Sequence, residues 1–151
     1  MGITSDYNLA TVQCTVDDFR VTGWAPDDAA SLAPMSDTME SAASADGSHV
    51  SISHLNDPRW ECTLKVRRGT AAYRLLAEKA QAQAAEAKVG AVSPLAFQIK
   101  DPNSGDKFVE ANARFMREPD MPFSKTASDA EFKLLLPNPT RTYGANIDKS
   151  A

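Results

Sequence analysis

The sequence contains few residues of the kinds that carry chemistry. Its 151 residues include two cysteines and two histidines, and they contain neither a glycine-rich phosphate loop nor a nucleophile motif. Cys14 and Cys62 are too few for a disulfide framework and lack the spacing of zinc ligands. These absences predict a protein that is not an enzyme and that has no cofactor and no metal site.

Long apolar runs and an excess of positive charge are also absent. No apolar stretch approaches the roughly 18 residues of a membrane-spanning helix, and the first residues, MGITSDYN, lack the pattern of a signal peptide. The formal net charge of -4 disfavours a sequence-independent grip on nucleic acid. We therefore expect no membrane anchor, and synthesis in the cytoplasm with reduced thiols.

The remaining candidates for chemistry have simpler structural explanations. His54 and Asp57 could act as a base and its orienting acid, but Asp57 lies in a sequence typical of a turn. The acidic pairs at 17–18 and 27–28 offer too few ligands for calcium. Cys14 and Cys62 fall on the apolar faces of predicted strands, which favours buried free thiols, while a disulfide within or between chains stays open.

One segment, residues 70–88, has the composition of a helix. Thr70 is a suitable N-cap, and Gly90 and Pro94 end the pattern. A narrow apolar stripe runs along it, made of Ala72, Leu75, Leu76, Ala80 and Ala84. Because these side chains are mostly small, the helix is expected to lie closely against a sheet.

Most of the remaining chain alternates apolar and polar residues, which is typical of half-buried β-strands. Residues 60–67 show the alternation most clearly, and residues 17–18 predict a turn between the first two strands. The predicted strands are 7–16, 19–24, 50–55, 59–67, 95–99, 107–116, 122–125 and 131–136. The sequence thus predicts a single mainly β domain over residues 1–151, a β-sandwich or partly closed barrel with one flanking helix.

Three segments fall outside this regular pattern. Residues 25–46 combine prolines, acidic residues and small residues, and they predict either a mobile loop or a projecting hairpin of residues 31–34 and 38–43. Met35 and Met39 are candidates for docking onto another chain, although folding back over their own core is an equally open alternative. Residues 1–6 and 137–151 are expected to be terminal arms.

Several short blocks, taken in order, resemble the tail tube proteins of contractile-tailed bacteriophages. The resemblance covers most of residues 7–138, and the long alanine-rich helix departs from the family pattern. The blocks are VTGWAPDD at 21–28, SADGSHVSIS at 44–53, ECTLKV at 61–66, REPDMPFSK at 117–125 and EFKLLLPN at 131–138.

The resemblance implies a structural virion protein whose hexameric rings stack into a hollow tail tube. Such a tube conducts double-stranded DNA during ejection without binding it specifically, and the tail sheath protein assembles around it. Baseplate and tail terminator proteins would be further partners, and the protein would be located in the virion tail after synthesis in the host bacterial cytoplasm. The candidates for contacts between subunits or rings are Leu32, Met35, Asp37, Met39 and Tyr143.

Two alternatives to the phage tail remain open. A tube protein of a type VI secretion system or of another contractile injection device would share the fold and the assembly. A monomeric β-sandwich that binds a ligand belongs to a different class, and it would have no need of an apolar projecting loop.

Overall fold

The computed structural model describes residues 7–26 and 29–146 of the chain. A short 3-10 turn, Leu9–Thr11, precedes the first strand, and one α-helix, α1, spans Ala71–Ala87. The strands are β1 Gln13–Val16, β2 Phe19–Arg20, β3 Ala30–Pro34, β4 Met39–Ala43, β5 Val50–His54, β6 Trp60–Arg67, β7 Leu95–Lys100, β8 Lys107–Phe115, β9 Asp129–Leu136 and β10 Thr140–Thr142. The predicted mainly β fold with one helix is confirmed.

The main sheet folds into two antiparallel layers that share β8. The first layer has the order β2-β1-β7-β8, with β10 beside the first half of β8, and the second has the order β9-β6-β3. Strand β8 joins the layers because β7 pairs with it between Lys107 and Ala113 and β10 pairs with its first three residues, whereas Arg114 and Phe115 pair with β9. The sheet does not close on itself, which is consistent with a sandwich.

The core lies between the inward faces of the two layers. Alternation along β6 and β9 places every second side chain inward, as the sequence predicts. The first layer contributes Cys14, Val16 and Phe97, which are also buried. Six inward residues of β6 and β9 are completely inaccessible, namely Cys62, Leu64, Val66, Phe132, Leu134 and Leu136.

Helix α1 packs against this core. The hydroxyl oxygen of Thr70 accepts a hydrogen bond from the Tyr73 amide at 3.2 Å, which confirms the predicted N-cap. Ala72 and Leu76 are fully buried within the same apolar cluster as the strands. Gly90 follows the helix with φ +78°, a left-handed conformation that glycine adopts without strain. The helix therefore begins and ends close to the predicted residues.

Several predicted strands are corrected by the structure. Residues 7–12 contain the 3-10 turn rather than the start of a strand, and β2 is shorter than predicted, with Trp24 making only an isolated bridge to Val66. Residues 122–125 form no strand. Pro122 lacks an amide donor, so this segment is poorly suited to a ladder.

The projecting hairpin exists, but its strands differ from the predicted pair. Residues 31–34 belong to β3, which pairs with β6 in the main sheet, and residues 39–43 pair with 50–54. Asp46 and Gly47, a dipeptide typical of hairpin turns, lie at the tip, where Gly47 has φ +74°. Sequence alternation alone does not specify which strand pairs with which, so the predicted hairpin lies earlier in the chain than the observed one.

The terminal arms are only partly described. Thr140–Thr142 forms β10 and pairs with β8, so this part of the predicted C-terminal arm belongs to the sheet. Residues 1–6 and 147–151 lie outside the described residues.

Gln83 connects α1 to the rest of the fold and gives a stability prediction. Its buried amide donates to the Ser93 carbonyl oxygen at 2.9 Å and accepts from the Phe115 amide at 2.8 Å. Gln83→Ala leaves both partners unpaired, so we expect a loss of about 1–3 kcal/mol in the free energy of unfolding, measured by urea denaturation. Gln81→Ala on the exposed side is the control, expected within about 0.5 kcal/mol of wild type. Equal effects of the two substitutions would contradict this role.

Asp17 gives a prediction about pH. Its carboxylate accepts from Lys79 Nζ at 2.9 Å and from the Ala96 amide at 3.0 Å. The Lys79 hydrogen bond is the largest influence, and it lowers the Asp17 pKa below the ordinary 3.8 despite partial burial. The ionised Asp17 carboxylate therefore stabilises the folded state above pH 3.8, and this contribution is lost as the pH falls through the lowered pKa.

Asp17→Asn tests this linkage without disturbing the backbone, because asparagine tolerates the left-handed conformation of Asp17, φ 54°. We expect the free energy of unfolding at pH 7, obtained from thermal melting, to be lower than that of wild type. The loss should be no more than about 1 kcal/mol because the pair is partly exposed. The difference should shrink below pH 3.8. A difference that stays constant down to pH 2, or one matched by Asp18→Asn, would exclude the Lys79 pair as its source.

Candidate interaction surfaces

Strand β3 is an edge strand whose outer side has no partner among the described residues. Met35, just beyond it, donates its amide to the Arg59 carbonyl oxygen at 3.0 Å. Because bonding alternates along an antiparallel pair, the amides of Ala30 and Leu32 point away from β6. Pro34 has no amide hydrogen and limits this edge. A strand from another molecule could therefore pair along a short stretch of β3.

The hairpin formed by β4 and β5 pairs with no other described strand. Every residue in its two strands is exposed. Residues directly opposite one another share a face, so the cross-strand register gives the hairpin two different faces. One face, the apolar face, carries Met39, Ser41, Ala43, Val50, Ile52 and His54, and the other carries Glu40, Ala42, Ser51 and Ser53.

Large apolar side chains on the apolar face lie open to solvent. Met39 is 52% exposed, and Val50 and Ile52 are each 56% exposed. A two-stranded hairpin that packs on nothing is at best marginally stable in water. The apolar face is therefore a surface of the described chain that is suited to a partner.

Local hydrogen bonds order the tip and the base of the hairpin. At the tip, hydrogen bonds from Ser48 and Ser44 lower the Asp46 pKa to about 2, so this carboxylate is charged at neutral pH. At the base, Arg59 donates to both oxygens of Asp57, at 2.8 and 2.7 Å, and lowers the Asp57 pKa to about 2. Asp57 therefore pairs with Arg59 and does not orient His54.

A second surface lies at the far end of β6. Residues 116–128 run without regular structure past the start of α1, and Phe123 is 85% exposed. The Arg68 guanidinium lies 5.0 Å from the Phe123 ring centre and donates to the Pro122 carbonyl oxygen. We call this surface the Arg68 shelf. It contains a hollow of about 480 Å³ whose lining includes Arg68, Tyr73, Met121 and Phe123.

A smaller hollow, of about 270 Å³, lies near the hairpin base. The Tyr143 ring meets the Phe108 ring edge-on, with 5.8 Å between their centres. Tyr143 itself is 64% exposed. The lining of this aromatic hollow includes Tyr7, Val12, Leu32, Ile99, Phe108 and Tyr143.

The structure distributes the predicted contact residues over two of these places. Met39 lies on the apolar face, and Asp37 is exposed at the hairpin base. Leu32 and Tyr143 line the aromatic hollow. Met35, which directly follows β3, is half-buried. Their role as contacts stays a prediction.

Three further surface residues were missed by sequence reasoning. Val50 and Ile52 alternate with serines, which correctly predicts a strand but gives no sign that its apolar side is uncovered. Phe123 falls in the wrongly predicted strand 122–125. In the block REPDMPFSK, two prolines precede Phe123 and a lysine follows it, a composition that indicates an exposed loop.

The described residues form no cluster of the kind that holds a metal ion. Among residues 7–26 and 29–146, no three His, Cys, Asp or Glu side chains come together as a ligand set. None of the helices that the structure describes is long and apolar enough to cross a membrane. The surfaces above are therefore the features of this chain that invite a functional explanation.

Cys14 and Cys62 are both free and fully buried. Burial raises the pKa of the Cys14 thiol to about 12, and burial together with the nearby Cys14 and Glu61 raises that of Cys62. A disulfide between chains would need access that neither thiol has.

The buried thiols give a prediction about reactivity. At pH 8, an aromatic disulfide reagent should modify the folded protein at least about 100-fold more slowly than the protein in urea, because the thiols are inaccessible and protonated. Absorbance of the released thiolate measures the rate. Reaction of either cysteine at the rate of a free thiol would show that β1 or β6 opens readily.

No protein-family model matches the sequence, and no curated protein is similar to it in sequence. Solved structures do share its fold. A sheath/tube terminator of PVC, an extracellular contractile injection system, superposes with a TM-score of 0.60 at 12% identity, covering 93% of this chain and 99% of that chain. The tube-terminating cap of the anti-feeding prophage gives 0.58 at 11% identity, covering 95% of each.

A third similar structure, from the PVC sheath-tube complex, has a TM-score of 0.59 at 12% identity and covers 93% of this chain and 94% of that chain. At these identities the similarity establishes the fold. The fold implied by the resemblance to tail tube proteins is therefore confirmed, and it spans nearly the whole chain.

Proposed function

We propose that this chain is a structural subunit of the tube of a contractile-tailed particle. In this proposal, copies of the chain form hexameric rings, and the rings stack into a hollow tube. The observation that carries it is the fully exposed hairpin with its uncovered apolar face, beside an unpaired β3 edge. Both are surfaces that a self-sufficient monomer would be expected to cover or blunt.

The role of such a subunit is physical. The stacked rings would conduct double-stranded DNA without binding it specifically, and the tail sheath protein would assemble around them. Baseplate and terminator proteins would contact the two ends of the tube in the virion tail. The phage tail is preferred because the sequence blocks resemble tail tube proteins.

A second candidate is a terminator that ends a tube. The printed descriptions of two of the similar structures name terminators or caps, in an extracellular contractile injection system and in the anti-feeding prophage. A terminator would form one ring and would not stack on itself. A monomeric ligand-binding sandwich is less well supported, because its binding site would have to be one of the open surface hollows.

Subunit pairing along the β3 edge can be tested with Ala30→Pro. The substitution removes an amide hydrogen that points away from β6, so the monomer should melt within a few degrees of wild type. If rings form through this edge, the concentration at which they appear should rise about tenfold or more, as measured by sedimentation velocity.

Ser31→Ala is the matched control, since it alters an exposed side chain next to Ala30 and leaves the edge amides unchanged. It should assemble like wild type. Wild-type protein that sediments as a monomer at every concentration would contradict the proposed function. Normal rings from a folded Ala30→Pro variant would contradict only the role of this edge.

A further inference from the structure

The two cysteines lie on facing layers of the sandwich. Cys14 is in β1 of the first layer, and Cys62 is in β6 of the second. Both side chains are completely inaccessible, and both belong to the apolar cluster that fills the space between the layers. Because each strand turns one face toward the core, the two thiols enter the same core from opposite sides.

The strand register brings the two cysteines close together. Cys14 lies directly opposite Ile99 of β7, and Cys62 lies directly opposite Leu32 of β3. Directly opposed residues share a face, with their Cβ atoms about 5 Å apart. Ile99 and Leu32 line the same aromatic hollow, together with Val12, which precedes Cys14 by two residues. Each cysteine is therefore the neighbour of a residue at this hollow, and the two lie next to each other in the core behind it.

The electrostatic influence of one thiol on the other agrees with this placement. Burial is the main cause that raises the pKa of the Cys62 thiol, and the charge of an ionised Cys14 is the next. The interaction between two charges weakens as their separation grows. The two thiols are therefore near neighbours although their strands belong to different layers.

From this placement we infer that Cys14 and Cys62 are a redox pair that closes into a disulfide between the two layers. Each thiol loses its hydrogen, and one sulfur–sulfur bond forms between the two sulfur atoms. The two electrons pass to an oxidant of the small-disulfide class, such as oxidised glutathione, which leaves as two thiols. Because both cysteines are buried, the exchange takes place while the strands are locally open or before they have folded.

The bond would fasten together two strands that are distant within the sheet. β1 reaches β6 only through β7, β8 and β9. A cross-link between them closes a long loop of the unfolded chain, and such a link stabilises the folded state. Its use rests on the proposed function, in which the subunit is made in a reducing cytoplasm and the particle then works outside it. The subunit would fold with free thiols and resist unfolding more strongly after release.

Refolding in redox buffers tests the pair. The full chain is unfolded in urea, which exposes both thiols, and is refolded in mixtures of reduced and oxidised glutathione. Alkylation with iodoacetamide followed by mass spectrometry counts the free thiols. We expect folded chains with no free thiol, no bound glutathione and no bond to a second chain. The bond should form at a proportion of oxidised glutathione about tenfold or more below that needed in urea, because the fold holds the thiols together.

Thermal melting followed by circular dichroism measures the effect of the bond. The oxidised chain should melt about 5 °C or more above the reduced chain. Cys62→Ala removes one partner of the pair. This variant should therefore melt at one temperature whichever buffer it was refolded in.

An exchange of two side chains within β1 provides the matched control. Cys14→Val combined with Val16→Cys keeps the composition of the core, since both positions are completely buried on the same face. It moves the thiol about 7 Å along the strand. The exchanged variant should fold, and its thiol should form no bond to Cys62 in the folded state.

A folded wild-type chain that keeps two free thiols or carries bound glutathione at every buffer ratio would overturn the inference. So would an oxidised chain that melts no higher than the reduced chain, or an exchanged variant that cross-links as readily as wild type. These results do not depend on assembly, so they leave the proposed function intact. Conversely, wild-type protein that never assembles would contradict the proposed function, while a disulfide in its folded chain would still support the pair.

Discussion

Burial of one face of β6 against the opposite layer and α1 is the interaction on which the rest of the structure depends. Cys62, Leu64 and Val66 are completely inaccessible, and β6 is paired on one side with β9 and on the other with β3. A strand held in this way is a rigid element. The hairpin base and the Arg68 shelf are therefore joined by one rigid strand.

The elements with strong periodicity could be predicted from sequence because local composition is sufficient to specify them. The alternation along 60–67 and the capped, alanine-rich segment 70–88 both match the structure closely. The turn at 17–18 correctly predicts that the first two strands pair. The other strand partners could not be predicted, since a period of two identifies a buried face without naming its neighbour. This is why residues 31–34 were assigned to the hairpin although they pair with β6, and why β10 was missed.

The candidate surfaces were predicted less well than the core, for a related reason. An exposed apolar residue has the same sequence signal as a buried one, so Val50 and Ile52 resemble the inward residues of any strand. Only the absence of a covering layer in the described structure distinguishes them. Similar structures at 11 to 12% identity show that this fold tolerates extensive change in sequence, including at its surface.

The central claim is that copies of this chain stack into a hollow tube. Negative-stain electron microscopy of the purified protein over a wide concentration range tests it most directly. The account predicts rings with a central channel that stack into tubes of uniform diameter as concentration rises. Isolated particles of monomer size at every concentration would contradict it, and would instead favour a sandwich that functions as a monomer.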